Sequence, residues 1–248
     1  MIEARGIKKR FGSQQVLNGV DLLIEEGEAV AIIGRSGGGK SILLKHLIGL
    51  LSPDEGEVLI RGTPIAHLNE RQLLDVRKEF GLLFQSAALF DSLTVHENVA
   101  FPLRHNRQLT AADINRRVDE ALAMVELPGT GKKRPAELSG GMRKRAGLAR
   151  SIIYRPKILL YDEPTTGLDP IVSDSIDKLI KRLCVELQTT TVVVTHDMRS
   201  VRTIAQRVLM LYEGKLYANA STQELFASTD PVVHAFVNGI STPTDLVW

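Results

Sequence analysis

Gly34, Gly39, Lys40 and Ser41 stand at the spacing GxxxxGKS within GRSGGGKS, residues 34–41. In so glycine-rich a bend, successive backbone amides can turn inward around phosphate oxygens, and a helix starting just beyond adds a field that favours negative charge. In that chemistry Lys40 reaches the β- and γ-phosphates and the Ser41 hydroxyl ligates Mg²⁺. Arg35, Ser36, Gly37, Gly38 and Ile42 complete the stretch that would wrap the phosphates. A purely structural glycine turn would leave the Lys-Ser pair and both apolar flanks unexplained.

Further along, KILLYDEP sets Asp162 and Glu163 at the end of an apolar run that Pro164 stops. Two carboxylates at the exit of a buried parallel strand suit a division of labour. Asp162 holds Mg²⁺ through its water shell, and Glu163 orients or deprotonates an attacking water. A solvated acidic turn is the other reading of the pair taken alone. A third run, TTTVVVTHD, carries His196 just past its end. An isolated histidine is more often structural, but this placement makes it a candidate contact for the γ-phosphate.

These groups require particular elements around them. VDLLI and EAVAIIG read as strands separated by EEGE, with Gly27 suited to a tight turn. Past Ser41, Leu43, Leu44, Leu47 and Ile48 give a helix its apolar stripe, and Gly49 ends it. Residues from about 86 to 155 read as a mainly helical insertion. There Thr94 and Glu97 have capping-box spacing, and Ile114, Val118, Ala121, Leu122 and Val125 trace one helical face. Pro128, Gly129, Gly131 and Pro135 break the chain before ELSGGMRKRAGLARSII starts a new helix, whose basic run MRKR reads as a solvated face with no ligand of its own. Ile176, Leu179, Ile180, Leu183 and Leu187 mark another amphipathic helix, and RVLMLYEGKLYANA reads as a hairpin about Glu213 and Gly214.

The composition permits such a core. The chain has 248 residues, 44% of them hydrophobic, and 31 basic against 29 acidic side chains give a net charge of +2. Near-neutral charge nominates neither nucleic acid nor an anionic membrane as a partner. The single cysteine, Cys184, excludes an intrachain disulfide and a cysteine-based metal site, and reads as a small buried hydrophobe. No run approaches the roughly 20 apolar residues of a membrane-spanning helix, and MIEARGIKKRF lacks the apolar middle of a secretory signal, so a cytosolic chain is expected.

Together these stretches resemble the ATPase subunits of ATP-binding cassette transporters, over residues 1 to about 225. LSGGM at 138–142 resembles the LSGGQ signature, LLYDEP the strand bearing the magnesium aspartate and catalytic glutamate, GLD at 167–169 the D-loop, and His196 the switch histidine. Gln85 after GLLF resembles the Q-loop glutamine, a metal-site and catalytic residue linking the nucleotide site to the helical lobe. Phe11 fills the position that stacks on adenine. The resemblance implies an α/β fold: a P-loop nucleotide hydrolase core with an N-terminal antiparallel β subdomain and an inserted helical subdomain. It also implies ATP and Mg²⁺ as cofactors, and a second copy of the chain whose Ser139, Gly140 and Gly141 close each nucleotide site. Two departures stand out. Met142 replaces the final glutamine of the signature, and Gly38 brings extra flexibility to the phosphate loop.

The segment FQSAALFDSLTVHENVAFPLR, with ALFDSLTV and ENVAFPL, resembles the phospholipid-trafficking, or toluene-tolerance, group that maintains outer-membrane lipid asymmetry. That implies an integral-membrane permease, met near residues 85–104, where Leu89, Phe90 and Leu93 would either form an apolar contact or serve as buried core residues. It also implies a membrane-anchored or periplasmic lipid-binding component, no nucleic acid, and a peripheral place on the cytoplasmic side of the inner membrane. An amino-acid or other small-solute importer, and a non-transport cassette acting on ribosomes or DNA, are the alternatives. In residues 226–248, STDPVVHAFVNGI reads as a helix capped by Asp230, begun by Pro231 and stopped at Gly239. It would either reinforce pairing of two ATPases or cap its own subunit, and the final STPTDLVW reads as flexible.

Overall fold

The computed structural model describes residues 1–105 and 108–241; the closing residues 242–248, read above as flexible, lie outside it. In chain order the strands are β1 (Ile2–Phe11), β2 (Gln14–Ile24), β3 (Ala29–Gly34), β4 (Glu55–Ile60), β5 (Thr63–Pro64), β6 (Phe80–Leu83), β7 (Ile158–Asp162), β8 (Thr190–Val194), β9 (Arg207–Tyr212) and β10 (Lys215–Ser221). The helices are α1 (Lys40–Leu47), α2 (Glu70–Arg77), α3 (Val95–Ala100), α4 (Ala111–Met124), α5 (Gly140–Ile152), α6 (Pro170–Leu187), α7 (Met198–Ile204), α8 (Thr222–Phe226) and α9 (Pro231–Asn238).

A six-stranded sheet in the order β10-β9-β3-β8-β7-β6 forms the centre, parallel except for β10, which folds back on β9. A four-stranded antiparallel sheet, β2-β1-β4-β5, lies beside it. The class is α/β, as the sequence implies. VDLLI and EAVAIIG, neighbours in sequence, belong to different sheets: β2 pairs with β1, whereas β3 lies between β9 and β8. The turn between them therefore changes sheets rather than closing a hairpin, and Gly27 N–H donates to Thr190 Oγ1 at 2.9 Å.

Alternation along the central strands divides the interior. Val30 and Ile32 of β3 join α1 and the antiparallel sheet in one core, with Leu43, Leu47, Ile2 and Ile24. Ala31 and Ile33 face the opposite way, toward Val201, Leu225 and Val233 of α7, α8 and α9. On β7, Ile158 and Leu160 enter the first core, while Leu159 and Tyr161 join the cluster built by α3 to α6. Strands buried on both faces require this apolar character throughout, and each fully buried leucine or isoleucine side chain stabilises by about 2 kcal/mol. Val233 on α9 is buried against its own chain, as a capping helix requires.

Two expectations need correction. Cys184 is half-buried rather than buried, and its thiol donates to Thr189 O at 3.5 Å. The basic run on α5 is a solvated face only at Arg143. Lys144 is buried, and Arg145 reaches in from the helix to Val125 O at 2.8 Å and to Glu126.

Asp177 on α6 is 2% exposed. Ser200 Oγ of α7 donates to its Oδ2 at 2.7 Å, while its Oδ1 has no partner among the described residues. Burial pushes this carboxyl up to about 6, with the Ser200 hydrogen bond opposing. From about pH 4 to about pH 6 the folded chain holds a proton that the unfolded chain has released, so stability falls as pH rises through that window. Asp177→Asn removes the penalty of the buried charge. Thermal melts should show the variant more stable than the parent at pH 8, by up to about 3 kcal/mol, with the difference gone near pH 4. A gain of equal size at both pH values would contradict the assignment.

Candidate active site

Strand register decides which residues meet. Ile32 of β3 lies beside Val194 of β8, and Val194 lies beside Asp162 of β7. The residues that follow these positions therefore leave the sheet at one carboxyl-terminal edge, where open α/β sheets place their ligand crevices. The glycine-rich loop follows β3, Glu163 follows β7 and His196 follows β8.

The loop closes on itself. Gly38 N–H donates to Arg35 O at 3.0 Å, and a Cβ at Gly38 would stand 2.9 Å from that same oxygen. The departure at Gly38 thus has a steric reason beyond flexibility. Gly39 caps α1 and brings no side-chain acceptor, which leaves the leading amides of the helix for an anion. Lys40 is buried and folds back, its Nζ donating to Gly34 O at 2.8 Å and Arg35 O at 3.0 Å. Burial pushes its ammonium down from the usual lysine value, and the charges of Glu163 and Asp162 oppose that shift.

Ser41 Oγ donates to Asp162 Oδ1 at 2.8 Å. Burial pushes the Asp162 carboxyl up, with the Ser41 hydrogen bond opposing. Glu163 has a left-handed backbone, φ 49°, unusual for a residue with a side chain. Its N–H donates to Val194 O at 2.8 Å. Its carboxylate accepts from Thr166 Oγ1 at 2.9 Å and lies 2.9 Å from His196 Nδ1.

Ser36, Gly37, Gly38, Gly39, Lys40, Ser41, Ile42, Gln85, Glu163 and His196 line a cavity of about 290 Å³. Asp162 sits beside it through Ser41. The hydroxyl, carboxylate and carboxamide oxygens of Ser41, Asp162 and Gln85 form a hard donor set of the kind that holds Mg²⁺ together with substrate phosphates. A cation there would also offset the burial of Asp162.

Other candidates stand apart. Phe11, at the end of β1, is half-exposed, with Lys9 Nζ 5.6 Å from its ring centroid. Gly34 and Arg35 face a second cavity, of about 500 Å³, between the end of β9 and α9, and the Arg35 guanidinium lies 5.3 Å from the Tyr212 ring centroid. Ser139, Gly140 and Gly141 begin α5 and do not line the cavity of the loop. Ser139 Oγ caps the helix by accepting from Met142 N–H at 3.2 Å. Gly141 backs onto α6 so closely that a Cβ would stand 2.6 Å from Val172 Cγ1. Met142, in the place of a glutamine, packs against the helical core.

Sequence reasoning passed over Thr166 and Lys144. Lys144 Nζ donates to the carbonyls of Gln85 and Glu163. Its signal was positional, since Lys144 shares a helical stripe with Gly140, Gly141, Gly147 and Leu148.

Because Glu163 faces the cavity without forming the phosphate loop, Glu163→Gln should leave nucleotide affinity intact and lower hydrolysis by about 10² to 10⁴. Lys40→Ala should weaken nucleotide binding itself. Equilibrium binding and turnover measured on both variants check this; near-normal turnover in Glu163→Gln would remove that residue from its role.

Comparison with known proteins bears on the same residues. The ABC transporter family model matches residues 17–166. The chain is 42% identical over 238 residues to the probable ribonucleotide transport ATP-binding protein mkl of Mycobacterium tuberculosis, covering 96% of this chain and 66% of that protein. It is 40% identical over 241 residues to MlaF, the intermembrane phospholipid transport system ATP-binding protein of Escherichia coli, covering 97% of this chain and 90% of MlaF. The solved dimeric ATP-binding cassette MJ0796, in a post-hydrolysis state bound to ADP and Pi, superposes with a TM-score of 0.82 at 33% identity, over 90% of this chain and 99% of that one. By sequence and by fold, the chain belongs to the ABC transporter family, as an ATP-binding cassette.

Proposed function

We propose that this chain is the ATP-hydrolysing subunit of a membrane transporter that moves phospholipid. The observation that carries the ATPase reading is the convergence on one cavity of the glycine-rich loop, the Ser41–Asp162 pair and the Glu163–His196 pair. Lys40 exchanges the carbonyls of Gly34 and Arg35 for the β- and γ-phosphates of ATP, joined by the loop amides. Mg²⁺ bound with ATP, held by Ser41, Asp162 and Gln85, supplies neutralisation of charge on those phosphates. Glu163 orients the attacking water and takes up its proton. His196 holds that carboxylate and meets the γ-phosphate, and Phe11 offers its exposed ring to adenine.

Ser139, Gly140 and Gly141 lie away from their own chain's cavity, so a second copy is needed to bring them to a nucleotide. A two-fold pair supplies each loop with the α5 N-terminus of its partner, and the dimeric state of MJ0796 supports that arrangement. Residues 1–225 act as the cassette, with 86–155 as its helical lobe and 226–248 as an extension.

No helix among the described residues is long and apolar enough to cross a membrane. On its similarity to MlaF, an ATP-binding protein of an intermembrane transport system, we place the chain peripherally, on the cytoplasmic face of the inner membrane beneath a permease. A cleft of about 550 Å³, lined by Leu74, Phe80, Pro102 and Tyr154 together with the charged Arg71, Asp75, Arg77 and Lys78, is the docking surface we assign to it. Of the apolar residues expected at the permease contact, Phe90 is 44% exposed and its ring packs tilted against Phe101 with centroids 4.7 Å apart, whereas Leu89 packs into the helical core. A membrane-anchored or periplasmic lipid-binding component completes the path.

The relatives' names diverge on cargo, ribonucleotide for mkl and phospholipid for MlaF. The lipid reading is supported by the FDSLTV and ENVAFPL stretches and by similarity along 90% of MlaF. The amino-acid importer and the ribosome or DNA readings are not favoured.

Two measurements check this function. Mixed dimers of Lys40→Ala and Ser139→Ala chains contain one site with both defects and one with neither, so hydrolysis should rise above that of either variant alone. Normal activity of the Ser139→Ala homodimer would exclude the phosphate role of that residue. With the genomically adjacent permease in lipid nanodiscs, ATP should drive transfer of labelled phospholipid, and Glu163→Gln should abolish it. Movement of a ribonucleotide or an amino acid without lipid would overturn the cargo assignment alone.

A further inference from the structure

Lys144 sits on α5, one turn past Gly140, and only 5% of its surface is exposed. Its Nζ donates to the backbone carbonyl of Gln85 and, at 3.1 Å, to that of Glu163. A lysine stripped of water is retained where an apolar side chain of similar length would fill the volume without the loss of hydration. The compensation here is specific: two carbonyl acceptors and the nearby negative charges of Glu163 and Asp162.

The two carbonyls belong to different parts of the site. Gln85 lines the cavity from the loop after β6, and Glu163 lines it from the end of β7. Glu163 also has a left-handed backbone, which persists only where its surroundings hold it. Its N–H is held by Val194 O at 2.8 Å, and its carbonyl accepts from Thr166 N–H at 3.3 Å as well as from Lys144. That backbone sets where the carboxylate points, toward Thr166 Oγ1 and His196 Nδ1.

We infer that Lys144 is a positioning residue that ties the backbone of Glu163 to that of Gln85, so that α5 sets the aim of the carboxylate that takes the proton from water. The inference rests on the reading of Glu163 as general base. Ser139 caps the same helix one turn earlier, so the residues proposed to meet the partner's nucleotide and the lysine behind Glu163 move as one body. A shift of α5 against β7 loosens the Lys144 bonds and lets the Glu163 backbone relax. Turnover then depends on the placement of α5. Nucleotide binding, made by the loop before α1, does not.

The full chain assembled with its permease in nanodiscs provides the test. Steady-state ATPase assays and equilibrium binding of a fluorescent ATP analogue are run on the parent, Glu163→Gln, Lys144→Met, Lys144→Gln and Lys144→Arg, with thermal melting as the check of folding. Lys144→Met should lower kcat by about tenfold or more, with the KM for ATP and analogue affinity within about twofold of the parent. Lys144→Arg, which keeps the donors and the charge, should recover most of the turnover. Should Lys144→Met fail to fold, Lys144→Gln is read by the same split between kcat and affinity. A kcat within about twofold of the parent in the folded variant overturns the inference. So does a parallel loss of kcat and affinity that Lys144→Arg does not restore. Near-normal turnover in Glu163→Gln is a different failure, since it removes the general base itself.

Discussion

Hydrogen bonding between three parallel strands, with Ile32, Val194 and Asp162 side by side, fixes the level at which the chain leaves the sheet. Everything charged in the site follows from that alignment. A one-residue slip of β7 against β8 would turn the Asp162 side chain to the opposite face and part it from Ser41. Register is held by burial, because each of these strands sends alternate side chains into two different cores. The apolar residues thus specify the position of the polar ones.

At that edge the electrostatics are those of a site kept in tension. Two ammonium groups, Lys40 and Lys144, and two carboxylates, Asp162 and Glu163, crowd behind the loop. Burial pushes both lysines down and Asp162 up, so each of the three is held away from its ordinary titration by lost hydration, only partly offset by opposite charge. The lysines satisfy themselves on backbone carbonyls, which are neutral acceptors. Lys40 is thereby stored rather than spent: its partners are the carbonyls of its own loop, and phosphate oxygens offer it stronger, charge-assisted ones.

α5 connects this edge to the helical region. Its first turn carries the exposed Ser139, its second the buried Lys144, and its remainder packs against β6 and the α3–α4 pair. Gly141, pressed onto Val172, leaves no room for α5 to approach α6 further. A helix so tightly seated transmits its position to whatever it touches, here the backbones of Gln85 and Glu163.

The sequence by itself determined the α/β class, the glycine-rich loop between β3 and α1, the carboxylates ending β7, the histidine beyond β8, the caps at Thr94 and Asp230 and the hairpin of β9 with β10. These are local signals: periodicity, turn chemistry and residue types adjacent in the chain. Stretches with weak local signals went unread, among them β1 and β4, whose irregular, charge-bearing sequences pair with each other from Ile2 opposite Ile60 to Lys8 opposite Glu55, as well as with their chain neighbours β2 and β5. The split of β2 and β3 between two sheets is likewise a matter of partners rather than propensity. So is the fate of the basic run. A lysine's helical stripe can be counted in sequence, but whether that stripe faces water or two backbone carbonyls depends on where β6 and β7 end. Tertiary structure alone decided that Lys144 is buried, that Gly141 has no room for a side chain beside Val172, and that Ser139 lies away from its own chain's loop. Each depends on atoms distant in sequence, and burial, not local preference, brings those atoms together.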